Sequence, residues 1–200
     1  LSWIWSLSFC KKSIHYRKNI DKIKVSIFEQ TSHIANHLSM YSSPYNHLIG
    51  EAATLFCVGS LFPDMARAAG WEELGWELLE TTIDNQFHPD GMSVEQAFFY
   101  HHFTLGFYLT CLLLRRLNCK TVSDHVWQRV EKAIEISFHL NMPDGTLPMK
   151  GDVDNARSIW FNLDHSWDFS FFYDLAAVLF HRPELKSRHG QVPEELIWLL

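Results

Sequence analysis

The apolar residues of this chain recur at steps of three and four along nearly its whole length, and no stretch alternates strictly between apolar and polar. A period of 3.6 builds helices, so the pattern predicts one all-α unit with no sheet. A first helix is expected over residues 2–12, "SWIWSLSFCKK". A second runs from Asn19 to Met40, with Ile20, Ile23, Ile27, Ile34 and Leu38 marking its apolar stripe. A third runs from Asn46 to about Ser60. Pro63 suits the first turn of a short helix that stops at Gly70. A long helix follows from Trp71 to Phe87, closed by His88-Pro89-Asp90-Gly91. The next is expected from Ser93 to Leu117, with Ser93 and Gln96 spaced as a capping box. Another runs from Ser123 to Asn141, and a last from Trp167 to His181, before Arg182-Pro183. Between these two lies a long polar loop.

Short connections make sequential helices antiparallel neighbours. Loops then alternate between two ends of the array. The loops before the third, fifth and seventh helices share one end, which collects Asn46, His47, Glu95, Gln96 and the loop "GDVDNAR".

Composition removes several function classes. A formal net charge of −6 argues against a nucleic-acid surface, and no Lys/Arg block suggests a polybasic membrane patch. The longest apolar run, "FTLGFYLTCLLL", is too short to cross a bilayer. The four cysteines show no CxxC spacing, and Cys10, Cys57 and Cys111 sit in apolar stretches, which predicts buried free thiols. The histidines lack HxxxH or HExxH spacing, so no metal site and no cofactor is expected. Eight Trp and fifteen Phe supply ample core.

Three stretches carry chemistry. In "SPYNHLIGEAATL", residues 43–55, Asn46 and His47 stand at a helix mouth. Asn46 reads as a helix N-cap, or as an amide donor to an anionic group beside the positive helix end. Glu51, four residues after His47, shares its face and reads either as orienting the imidazole or as a salt-bridge partner inside the helical array. In "DGMSVEQAFFYHHF", Glu95, Gln96, Tyr100 and His101 are costly to bury without a purpose, although an aromatic core helix with satisfied histidines accounts for them equally. In "MPDGTLPMKGDVDNAR", Asp152 and Asp154 read as turn residues, a cation site or the paired carboxylates of a glycosidase. Arg157 is the candidate partner for a substrate carboxylate or sulfate.

"LSWIWSL", "NHLIGEAATLFCVGSLFPDMARAAGW", "DGMSVEQAFFYHHFTLGFYL" and "PDGTLPMKGDVDNAR", in that order, resemble the N-terminal catalytic domain of heparinase II/III-like polysaccharide lyases, closest to the heparinase III type and including alginate-lyase-like relatives. The resemblance covers most of residues 1–165. It implies an incomplete (α/α) toroid of antiparallel helix pairs, so that residues 1–200 form a single partial toroid domain, with a β-sandwich domain expected beyond it. It implies β-elimination on uronic-acid polysaccharides, an acidic-polysaccharide substrate, and a bacterial periplasmic or secreted setting. Asn46 then matches the residue that neutralises the uronate carboxylate, Tyr100 the catalytic tyrosine, and His47 a histidine that some members use in the site. Glu95, Gln96, His101 and Arg157 take substrate-binding positions by their place in the matching motifs. The negative net charge favours a weakly charged polymer, such as alginate or a non-sulfated uronate glycan, over heavily sulfated heparin. Two other functions remain open: a catalytically silent carbohydrate-binding or assembly module of a polysaccharide-export system, and a toroidal glycosidase using Asp152 and Asp154.

Overall fold

The computed structural model describes residues 4, 6, 7, 10, 13–142, 146–153, 156–159, 168–187 and 192–200. Its regular structure is helical, with one isolated antiparallel bridge between Phe87 and Ser93 among the described residues. The chain groups into two compact units, Leu1–Thr81 and Thr82–Leu200.

In the first unit, α1 spans Ile14–Asn36, α2 spans Asn46–Leu61 and α3 spans Ala68–Thr82, which reaches the boundary. Helix α2 is apolar on most sides and buries Leu48, Ile49, Ala52, Ala53, Leu55 and Phe56. Gly75 of α3 meets it at backbone distance: a Cβ there would lie 2.5 Å from both the Ala52 carbonyl oxygen and the Phe56 nitrogen. Phe56 packs on Trp76 at 5.7 Å between centroids, and Phe28 of α1 on Trp71 at 5.4 Å. These aromatic pairs tie α3 to its two predecessors.

The helix expected over Asn19–Met40 is Ile14–Asn36, and the elements expected around Pro63 and from Trp71 to Phe87 shift as well. Pro63 does not open a helix; residues 63–67 form turns, closed by Met65 N–H to the Phe62 carbonyl and Ala68 N–H to the Met65 carbonyl. The helix begins at Ala68 and passes straight through Gly70. Most of the helix expected over residues 2–12 lies outside the described residues, although Ile4, Ser6, Leu7 and Cys10 are helical.

In the second unit, a 3-10 turn at Ile83–Asn85 leads to α4, Phe98–Leu117, then α5, Asp124–Leu140, and α6, Ser170–Leu179. A 3-10 turn at Pro183–Leu185 precedes α7, Glu194–Leu199, which the sequence reading did not anticipate. Helix α4 is buried on nearly every side, from Phe98 to Leu113. Helix α5 buries only the stripe Val126, Val130, Ala133, Ile134 and Ser137, which is the 3.6-residue period of a surface helix. Its neighbours in space are α4 and α6.

The start of α4 also departs from expectation. The proposed capping box does not form, because the helix begins five residues after Ser93. Ser93 Oγ accepts the Glu95 N–H at 3.3 Å, and its carbonyl accepts the Gln96 N–H at 3.1 Å. Gln96 then takes a left-handed conformation, φ 53°, which ends the turn before the helix starts. Helix α6 likewise starts at Ser170 rather than Trp167, with Asp168 Oδ1 accepting the Ser170 N–H at 2.8 Å. Cys57 and Cys111 are buried free thiols as expected, whereas Cys10 and Cys119 are exposed.

Candidate functional site

Asn46 is the first residue of α2, and Tyr45 occupies the cap position. The Tyr45 side chain makes no capping hydrogen bond, and Asn46 lies inside the helix rather than at its N-cap. Asn46 is buried and His47 is exposed. The mouth of α2 thus offers a buried amide and an imidazole open to solvent, both at the positive end of a helix.

Glu51 does not orient His47. Its Oε2 accepts the Ser39 N–H at 2.7 Å and its Oε1 accepts the Ser39 hydroxyl at 2.7 Å. Both carboxylate oxygens are engaged on the loop between α1 and α2. Glu51 therefore braces the segment that leads into Asn46. The contact spans twelve residues, beyond the reach of the i, i+4 rule that suggested the imidazole.

In the second unit, Tyr100 lies in the first turn of α4 on its half-exposed side. Its hydroxyl donates to Asp152 Oδ2 at 3.5 Å. Asp152 Oδ1 accepts the Val153 N–H at 3.0 Å. Glu95 is half-buried and Gln96 exposed, both in the turn that precedes α4. Asp154, the second carboxylate of the suggested pair, lies outside the described residues.

His101, the next residue along α4, is fully buried. Its Nε2 hydrogen-bonds the Ala133 carbonyl at 2.9 Å, and Ser93 N–H donates to its Nδ1 at 3.2 Å. This pairing requires the neutral tautomer with hydrogen on Nε2. Burial pushes its pKa down to about 4, opposed by the Ala133 hydrogen bond. Both ring nitrogens are engaged inside the protein, so His101 acts on the exposed face only through the Ser93 turn that it holds.

His102, which sequence reasoning left without a role, anchors a buried polar network. Its Nδ1 donates to the Phe98 carbonyl at 2.8 Å, and the Ser137 hydroxyl lies 2.6 Å from its Nε2. The Tyr173 hydroxyl lies 3.0 Å from the same Ser137 oxygen. Burial, followed by the neighbouring His101, lowers the His102 pKa to about 3. Burial raises that of Tyr173 to about 12. A Ser–His contact of this kind resembles a nucleophile and its base, but each member is buried from solvent, so it is a structural bolt joining α4, α5 and α6. The doubled histidine and Ser137 on the apolar stripe of α5 were the available signals.

Arg157 is half-buried, with its guanidinium 5.1 Å from the centre of the Phe169 ring and Nη2 3.4 Å from the Asp168 carbonyl. Burial lowers its pKa; Glu195 and Asp168 pull the other way, and an arginine so placed keeps its charge. Phe169 also packs on His102 at 4.6 Å and on Phe99 at 6.0 Å. The cation is thus stacked on Phe169, which packs against Phe99, the ring next to Tyr100. Leu147, Pro148, Met149, Lys150 and Val153, together with Phe98, Phe99 and Phe169, line a depression beside it.

The structure therefore gathers Tyr100, Asp152, Glu95, Gln96 and Arg157 in the second unit, around the first turn of α4 and the loop packed on it. Asn46 and His47 belong to the first.

A family profile described as "Heparinase II/III N-terminus" matches residues 16–175. The chain belongs to the heparinase II/III family. Among curated relatives, the heparin-sulfate lyase of Pedobacter heparinus is 29% identical over 129 residues, covering 64% of this chain and 19% of the relative. The heparin-sulfate lyase of Bacteroides thetaiotaomicron is 26% identical over 180 residues, covering 84% of this chain and 25% of the relative. The chain thus spans about a fifth to a quarter of the length of these relatives.

A crystal structure of heparinase III superposes with a TM-score of 0.64 at 23% identity, covering 71% of this heparinase II/III-family chain and 22% of the other. Heparan sulfate lyase HepC from Pedobacter heparinus gives a TM-score of 0.59 at 23% identity, covering 86% and 27%. The likeness bears out the expected fold class, all-α and part of a helical toroid. No helix among the described residues is long and apolar enough to cross a membrane.

Proposed function

We propose that this heparinase II/III-family chain supplies the helical catalytic part of a polysaccharide lyase that cleaves a uronate-containing glycan of the heparan-sulfate class. The observation that carries the reading is the family match across residues 16–175, which contains Asn46, His47 and Tyr100. Relatives named heparin-sulfate lyases support the substrate class. Glycans such as alginate remain competitors within the same chemistry. A β-sandwich domain in the full-length protein, and a periplasmic or secreted location, belong to the same proposal.

The reaction breaks the C4–O4 bond of the uronate and forms a C4=C5 double bond. The C5 proton leaves to a base, and the departing O4 receives a proton. That C5 proton is weakly acidic because the adjacent carboxylate is already negative. Asn46, beside the start of α2, is assigned to bind the carboxylate and stabilise the charge that develops when the proton leaves. One such donor is worth about 3 kcal/mol in the transition state. Tyr100 is assigned to take the C5 proton, to protonate O4, or to do both in turn. His47, exposed at the same helix mouth as Asn46, is the alternative base. Arg157 is assigned to the polymer's anionic groups, with Glu95 and Gln96 contacting hydroxyls. His101 serves by holding the Ser93 turn.

The test is digestion of heparan sulfate, alginate and hyaluronan by the full-length protein. The ultraviolet absorbance of a 4,5-unsaturated uronate is followed beside the release of reducing ends. The reading expects both signals together, greatest on heparan sulfate. Binding without product would instead identify a silent glycan-binding module. Reducing ends without the ultraviolet signal would identify a glycosidase.

A further inference from the structure

We infer that Asp152 is a positioning residue for Tyr100, held in place by a backbone lock between the 146–153 loop and the first turn of α4. The inference rests on the lyase reading of Tyr100 and adds to it the group that orients its hydroxyl.

The lock has three parts. The Phe98 N–H, at the start of α4, donates to the Lys150 carbonyl at 3.1 Å. This uses one of the N–H groups that a helix start leaves without an intrahelical partner. Gly151 follows at φ 83°, a conformation that side chains other than glycine resist. A Cβ on Gly151 would lie 2.6 Å from both Cα and Cβ of Ala97 and 2.9 Å from the Gln96 carbonyl oxygen. The loop thus presses backbone to backbone against the helix entry, where Gln96 is also left-handed.

Asp152 comes next, and its two oxygens have separate tasks. Oδ1 accepts the Val153 N–H at 3.0 Å, which fixes the carboxylate to its own turn. Oδ2 accepts from the Tyr100 hydroxyl at 3.5 Å. A phenol that donates its hydrogen to a fixed acceptor presents its oxygen lone pairs in a fixed direction. A tyrosine that takes a proton from one particular C–H bond must also release its own, so direction matters as much as distance, and the hydroxyl hydrogen leaves along the bond to Asp152 Oδ2. The sequence hides this partnership, because the two residues stand 52 positions apart. Asp152 does not have to touch the glycan in this role, and Asp154 plays no part in it.

The experiment compares Asp152→Ala, Asp152→Asn, Gly151→Ala and Tyr100→Phe in the full-length protein, with heparan sulfate as substrate and thermal melting as the control for folding. Asp152→Ala is expected to lower kcat by about tenfold to a hundredfold with KM changed by less than about twofold, and to move the pH profile of kcat. Asp152→Asn, which keeps an oxygen acceptor, is expected to recover part of that loss. Gly151→Ala, which breaks the lock, is expected to reproduce the kcat defect. If Tyr100→Phe is inactive while Asp152→Ala keeps both the wild-type kcat and the wild-type pH profile, the positioning role is overturned and the lyase reading stands. If Tyr100→Phe is fully active, the assignment of Tyr100 is overturned, and the role of Asp152 with it.

Discussion

The Ser137 hydroxyl lies 2.6 Å from His102 Nε2 inside the packed core of the second unit. The imidazole is neutral there, with hydrogen on Nδ1 for the Phe98 carbonyl and a lone pair on Nε2 for Ser137. Ser137→Ala leaves that ring nitrogen buried without its donor and deprives Tyr173 of a partner. A loss of about 1–3 kcal/mol is expected. Denaturant unfolding measures it, and an unchanged midpoint would show that the network adds nothing to stability.

The adjacent buried rings of His101 and His102 set a pH limit. The pKa values of His101 and His102 are lowered to about 4 and about 3 in the folded state, against about 6.5 when unfolded. Groups depressed on folding contribute stability that is complete above the unfolded pKa. It is lost as pH falls from about 6.5 toward those folded values. The loss from His101 alone is on the order of 3 kcal/mol by pH 4. Melting temperature should therefore fall steadily between pH 6.5 and 4, while neither imidazole titrates by NMR above pH 5. Titration of either ring near pH 6.5 would contradict its neutral, buried assignment.

Glu51 explains why a carboxylate sits just inside an apolar helix. It takes both the N–H and the hydroxyl of Ser39, and so fixes the loop that enters α2. Glu51→Ala should cost roughly 1–3 kcal/mol and raise amide exchange at Ser39. Ser39 exchange equal to wild type would show that the brace is not populated in solution.

Gly75 lets α3 approach α2 at backbone distance. Gly75→Ala would normally gain helix propensity, by up to about 1 kcal/mol. Here the methyl meets the Ala52 carbonyl oxygen and the Phe56 nitrogen at 2.5 Å, so the substitution must push the helices apart. A net loss of roughly 1–3 kcal/mol is expected from the overpacking. A melting temperature at or above wild type would rule out so close a crossing.

These cases show where the sequence was legible. The helix read from Asn46 to Ser60 is Asn46–Leu61, and the one read from Ser123 to Asn141 is Asp124–Leu140, because periodicity and composition are local. The start of α4 departs from the capping-box pattern because the Ser93 N–H goes to His101 Nδ1, and no i, i+3 rule contains that bond. Neither reading of Glu51 reaches its partner, because Ser39 comes from the preceding loop. Tyr100 was picked out by its motif, but Asp152 became its partner only through the fold.

Under the proposed lyase function, Tyr100 carries proton transfer in the elimination. The most direct measurement is the initial rate of unsaturated-uronate formation from heparan sulfate by the full-length protein, wild type against Tyr100→Phe, with glycan affinity measured alongside. The account predicts a rate reduced by about 10² to 10⁴ with affinity and melting temperature preserved. A Tyr100→Phe protein that forms unsaturated product at the wild-type rate would contradict it.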